Sequence, residues 1–98
     1  MTASVNKLDA LHEILTPAAE KLAGTHPLAA TLLLRAMIDF SLTQARSTRY
    51  RHAARHLMEC ESLASSIAHF APFETHEVYA ARLKREHGRK SSFWSGAV

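Results

Sequence analysis

Apolar side chains recur along this chain at three- and four-residue intervals, the period of helices that each bury one face. From Ser4, the positions Val5, Leu8, Leu11, His12 and Leu15 form a first amphipathic helix. Thr16 and Pro17 then read as the cap and first residue of a short second helix to residue 23, with Gly24 as its stop. A single helix kinked at Pro17 is the alternative, because proline removes one hydrogen bond and crowds the preceding turn.

His26-Pro27 opens a third helix over 28–44. Its apolar side chains cover most of the circumference and leave a narrow polar stripe of Thr31, Arg35 and Asp39, with Arg35 and Asp39 spaced as an ion pair. A helix apolar nearly all round is a central helix, packed on several sides. A polar turn over 44–48 follows, and Ser47 or Thr48 caps a fourth helix to about residue 69. Its buried stripe is Tyr50, Ala53, Leu57, Cys60, Ala64 and Ile67, with Ala54 alongside. The opposite face carries Arg51, His52, Arg55, Glu59 and Ser62. The small residues at 53 and 54 permit close approach, so the third and fourth helices read as an antiparallel hairpin. Thr75 caps a fifth helix that turns Val78, Tyr79 and Leu83 inward and ends at Gly88. The short helical tail bears Phe93 and Trp94, which are costly to leave in water and should dock on the body or on another chain.

The expected fold is therefore all-α: about five helices in antiparallel hairpins, a tetratricopeptide-like bundle, plus the tail. Composition agrees. Three glycines and three prolines in 98 residues are too few for a chain of tight β-turns. That length suits one helical domain over 1–98. One cysteine excludes an internal disulfide framework and fits a cytoplasmic setting. No apolar run is long enough to span a membrane, and no classical signal peptide is visible. The net charge of +3 is unevenly placed: 46–98 holds nine basic and five acidic side chains, whereas 1–45 holds three and four.

Three segments, LTPAAEKLAGTHPLAATLLLRAMIDF (15–40), RSTRYRHAARHLMEC (46–60) and HGRKSSFW (87–94), carry a resemblance. Through RYRHAARHL and GRKxxFW taken together, the chain resembles the C-terminal end of a bacterial family of unknown function. That family is mostly longer, α-helical and built from helical hairpins, and related helical regions sit beside SWIM-type zinc fingers. The resemblance implies that 1–98 is equivalent to the C-terminal part of a longer protein. It carries no zinc finger with it, because the finger's several cysteines are absent. It implies no activity. The YRHAARHL segment is also similar to the second helix of a tetratricopeptide hairpin, an architecture rather than a membership.

Candidate chemistry is sparse. His52, His56 and Cys60 are spaced i, i+4 and i+8, and all are zinc-competent ligands. The 100° helical step, however, turns Cys60 about 80° away from His52 toward the core. A fourth ligand would have to come from His69, His76 or His87. The simpler assignment is a surface histidine, a boundary histidine and a buried thiol, so no metal is assigned. There is no G-x-S-x-G, no HExxH and no glycine-rich phosphate loop, so no catalytic residue and no cofactor are expected. Glu61 projects near the buried stripe, and Arg35 is its candidate partner; reaching solvent is the alternative.

Arg49, Tyr50, Arg51, Arg55, Arg89, Lys90, Phe93 and Trp94 combine charge with aromatic surface and are the candidate interaction residues. The favoured function is a non-catalytic helical-hairpin scaffold for protein contacts, self-association as a homodimer included. The runner-up is a nucleic-acid-associated accessory domain using the basic residues of 46–55 and 82–90. A histidine-rich metal-binding or enzymatic domain stands third.

Overall fold

The computed structural model describes residues 14–43 and 47–97. Their regular structure is entirely helical, as the periodicity predicts. Helix α1 covers 14–23, α2 Pro27–Thr43, α3 Ser47–Ala64, α4 His76–His87 and α5 Ser91–Ala97.

The α2–α3 hairpin forms the centre of the described core, with extensive contact between its two helices. Leu34, Met37, Ile38 and Leu42 of α2 meet Ala53, Leu57 and Cys60 of α3 in one core cluster. The pair runs antiparallel: Cys60, late in α3, lies with its Sγ 4.0 Å from the Thr31 carbonyl, early in α2. The all-round apolarity of α2 has the expected meaning, because three elements pack on it. From one side comes α1, whose Thr16 Oγ1 donates to Met37 Sδ at 3.6 Å. From another comes α4, with Tyr79 fully buried.

The flanks of α3 are divided between α1 and α5. His52, Arg55, His56 and Glu59 face Thr16 and Glu20 of α1 across a cleft. On the far side of α3, Tyr50 lies under Lys90, and Gly96 comes so close to Ala54 that a Cβ there would sit 3.0 Å from the Ala54 methyl. The tail thus docks on the body. Phe93 is fully buried in the core cluster, and Trp94 packs edge-on against it with ring centroids 4.8 Å apart. The indole N–H donates to the His87 carbonyl at 2.9 Å, which satisfies one of the orphaned carbonyls at the end of α4.

The local signals succeed in part. Pro27 occupies the first position of α2, and Thr75 caps α4, its hydroxyl accepting from the Val78 N–H at 3.3 Å. Gly88 follows α4 in a right-handed conformation, where a Cβ would lie 2.5 Å from the Lys84 carbonyl oxygen.

Several expectations need correction. The break at Thr16-Pro17 is absent: residues 14–23 are one helix, and the Thr16 hydroxyl is committed across to α2 instead of capping. Val5, Leu8, Leu11 and His12 lie outside the described residues. Helix α3 ends at Ala64, not near 69. Ser65 and Ser66 compete there for the backbone: the Ser65 hydroxyl donates to the Ser62 carbonyl at 3.1 Å, and the Ser66 N–H bonds back three residues to Leu63 at 2.9 Å. Ala64 and Ile67 are consequently only half-buried. Val78 is 53% exposed, because α4 packs on the body with one face, which Tyr79 and Leu83 take. Glu61 reaches solvent and does not pair with Arg35. It projects on the side of α3 that α5 covers, but α5 is seven residues long and protects only the first turns.

Candidate functional site

Among the candidate interaction residues, Tyr50 and Phe93 are core residues, Trp94, Arg49 and Lys90 are half-buried, and Arg51, Arg55 and Arg89 are exposed. The fold brings the two sequence-distant groups together. Lys90 Nζ lies 5.7 Å from the centroid of Tyr50, and Lys84 Nζ 4.7 Å from that of Trp94. The start of α3 and the α4–α5 junction therefore share one basic end of the molecule. Acidic relief there is thin: Glu86 is engaged by Arg82, with Nη1 donating to Oε1 at 3.3 Å.

The histidine–cysteine series separates as the helical step demands. His52 is exposed, whereas His56 is buried, with Nδ1 3.2 Å from Glu59 Oε1. The carboxylate can only accept, so Nδ1 carries the proton in that contact. Glu59 is thus taken by His56 rather than by Arg55. Cys60 is fully buried, and burial pushes its thiol up to about 12, which leaves it protonated and unreactive at neutral pH. Of the proposed fourth ligands, His69 is exposed, His87 half-buried and His76 buried on the first turn of α4. No group of three histidine, cysteine, aspartate or glutamate side chains among the described residues is placed to hold a metal ion.

Partial burial, then the neighbouring His56 and the Arg49, Arg55 and Arg51 charges, hold His52 below the ordinary histidine value of 6.5. The unfolded chain therefore binds more protons than the folded one as pH falls through 6.5, and stability declines with acidification from that point down through the folded value. Thermal melts between pH 7.5 and 5 should show this slope, and His52→Gln should flatten it. An unchanged slope in the variant would show that His52 is not its source.

Two features went unread in the sequence, and both lie on α2. The first is its polar stripe, which is not a solvated face. Thr31 and Arg35 are buried and Asp39 is half-buried, the latter two against Tyr79 of α4. The Arg35 guanidinium lies 4.5 Å from the Tyr79 ring centroid and 5.6 Å from that of Phe70. The Tyr79 hydroxyl donates to Asp39 Oδ1 at 3.0 Å and also lies 3.3 Å from the Arg35 carbonyl. Arg35 makes no ion pair with Asp39, and its Nε and Nη2 nitrogens are buried without a hydrogen-bond partner. Also beside Tyr79, 5.1 Å from its ring centroid, sits Arg82, gripped by Glu74 through Nε and Nη2 at 3.1–3.3 Å. That grip holds the Glu74 carboxyl below its usual range. Leu32, Ala36, Pro72 and Phe73, together with Arg35 and Arg82, line a cleft of about 410 Å³.

The second feature is an open apolar groove of about 390 Å³, where Pro27, Leu28, Ala29 and Leu32 face Ile67 and Ala68 of the turn after α3. Leu32 lines both depressions, so the groove continues toward Phe73, which is 46% exposed. The polarity of α2 is thus partly inverted, with charge tucked inward and leucine turned outward. No described helix is long and apolar enough to cross a membrane.

A model of a family of unknown function, DUF6880, matches residues 3–96. No curated protein and no solved structure matches the chain.

Proposed function

The chain belongs to that family of unknown function, and we propose from its surfaces that it is a non-catalytic helical interaction module whose contact face is the outer side of α2. The apolar groove of Leu28, Ala29, Leu32 and Ile67 carries this reading. Contiguous apolar surface turned to water marks a docking site more often than isolated leucines do. The simplest occupant is the same face of a second copy, which a two-fold axis would make self-complementary. The RYRHAARHL and GRKxxFW stretches fit a scaffold, since both serve packing: Tyr50 from one meets Lys90 from the other, and both stretches send residues into the core cluster. A lone buried thiol suits a bacterial cytoplasm. Sedimentation across a hundredfold range of concentration tests the reading. A dimer that Leu32→Glu dissociates by at least about tenfold is expected; a monomer at every concentration would remove self-association.

The convergence at Lys90 and Tyr50 favours a second reading, in which Arg51, Arg89 and Lys90 contact nucleic-acid phosphates. Fluorescence anisotropy with labelled single- and double-stranded oligonucleotides should then show binding that weakens steeply with salt and is lost in an Arg51→Glu, Arg89→Glu double variant. No binding at low salt would eliminate it.

A further inference from the structure

We propose that the cleft between α2 and the segment 72–74 is a binding site for a monocarboxylate with an apolar body, and that Arg35 is its anion-recognising residue. The observation that points to a ligand is the state of the guanidinium. Arg35 is 6% exposed, and Nε and Nη2, the two nitrogens of one edge, are both buried and unpartnered. That edge is a fork whose two parallel N–H groups match the two oxygens of a carboxylate. A buried cation without an acceptor is expensive, and the rings of Tyr79 and Phe70 offset only part of the cost. Arg82, by contrast, already has its Nε/Nη2 edge filled by Glu74. Of the two guanidinium forks beside Tyr79, that of Arg82 is occupied and that of Arg35 is not.

Charge selects the class of anion. Asp39 and Glu74 also line the cleft, and their carboxylates repel a phosphate dianion more strongly than a monoanion. Leu32, Ala36 and Phe73 supply an apolar wall for the remainder of the ligand. Both nitrogens of the vacant Arg35 edge are closed off from solvent, so binding requires the guanidinium to turn toward the cleft and exchanges ring contact for paired hydrogen bonds. Two sources present this chemistry, a free carboxylic acid and the C-terminal carboxylate of a peptide. The site does not depend on self-association through the groove.

The test is titration of the isotope-labelled full chain, followed by amide NMR, with phenylacetate, a tetrapeptide ending in leucine, the same peptide amidated, and inorganic phosphate. Saturable shifts at Ala36, Phe73 and Tyr79 are expected with phenylacetate or the free-acid peptide, with the amide and phosphate at least about tenfold weaker. Tighter binding of phenylacetate assigns a small-molecule source, and tighter binding of the peptide assigns a chain terminus. Arg35→Met should abolish the shifts. Ala36→Glu, at an exposed helical position on the cleft wall, should weaken them by about tenfold or more with the fold intact. Absence of saturable shifts with both carboxylates, phosphate binding tighter than either, or undiminished binding in Ala36→Glu would each overturn the proposal.

Discussion

Replacement of Phe93 by alanine is expected to destabilise the protein by about 3–5 kcal/mol, the cost typical of emptying a fully buried phenylalanine site. A domain of this size holds roughly 5–15 kcal/mol in total, so the variant should be close to unfolding at physiological temperature. The loss should be large because Phe93 is the anchor of an element that cannot stand alone. Helix α5 has seven residues, well short of the length at which an isolated helix is stable in water. It is held by Phe93 in the core, by Trp94 against Phe93 and the His87 carbonyl, and by the close approach of Gly96 to Ala54. Once α5 leaves, Tyr50 and Ala54 of α3 lose their cover, and the damage reaches the central hairpin. Urea unfolding would measure it. Phe93→Leu should retain most of the stability, whereas Gly96→Val should approach the alanine variant by pushing α5 off α3. A cost below about 1 kcal/mol for Phe93→Ala would mean that the tail merely rests on the body.

The same tail shows what the sequence makes legible and what it hides. That Phe93 and Trp94 must be covered follows from their size alone, and the stripe Tyr50, Ala53, Leu57, Cys60 follows from a fixed helical period. Both statements concern one segment and water. Position along the chain also exposes the failure of the metal series, since 80° of rotation separates His52 from Cys60 whatever the tertiary fold. Arg35 is different. Its burial is decided by Phe70 and Tyr79, the latter 44 residues away, and nothing near Arg35 in sequence announces either. A long cationic side chain on a polar stripe reads as solvated until a ring is laid over it. Glu61 fails in the opposite direction: its projection is right, but the length of the helix meant to cover it decides its exposure. The end of α3 at Ala64 is hidden in the sequence because Ile67 continues the apolar period past two serines that end the helix. Period and capping compete at such a place, and the backbone hydrogen bonds of Ser65 and Ser66 settle it.

Tyr79 carries the second large effect, and it splits into two parts. Tyr79→Ala should cost about 3–5 kcal/mol, because the ring is fully buried and lies against both the Arg35 and Arg82 guanidinium groups. Tyr79→Phe keeps the ring and should cost only about 1 kcal/mol, the usual net value of the hydroxyl's hydrogen bond to Asp39. Arg35→Met should be neutral or stabilising, since an aliphatic chain of similar length removes an unpartnered buried charge and keeps its packing. The ordering Ala far above Phe, with Arg35→Met at or below zero, separates ring packing from charge. A pH dependence identifies the hydroxyl further. Burial, the Asp39 charge and the hydrogen bond to it all raise the Tyr79 phenol above its ordinary value of 10.0. Above that pH the unfolded chain releases a proton that the folded chain keeps. Stability is therefore full below pH 10 and falls as pH rises toward the folded value. Cys60 contributes in the same sense from its own ordinary value of 9.0. Tyr79→Phe should remove the tyrosine part of this alkaline slope and leave the thiol part. If wild type and Tyr79→Phe lose stability identically between pH 9 and 11, the phenol is neither buried nor bonded to Asp39 as the structure places it.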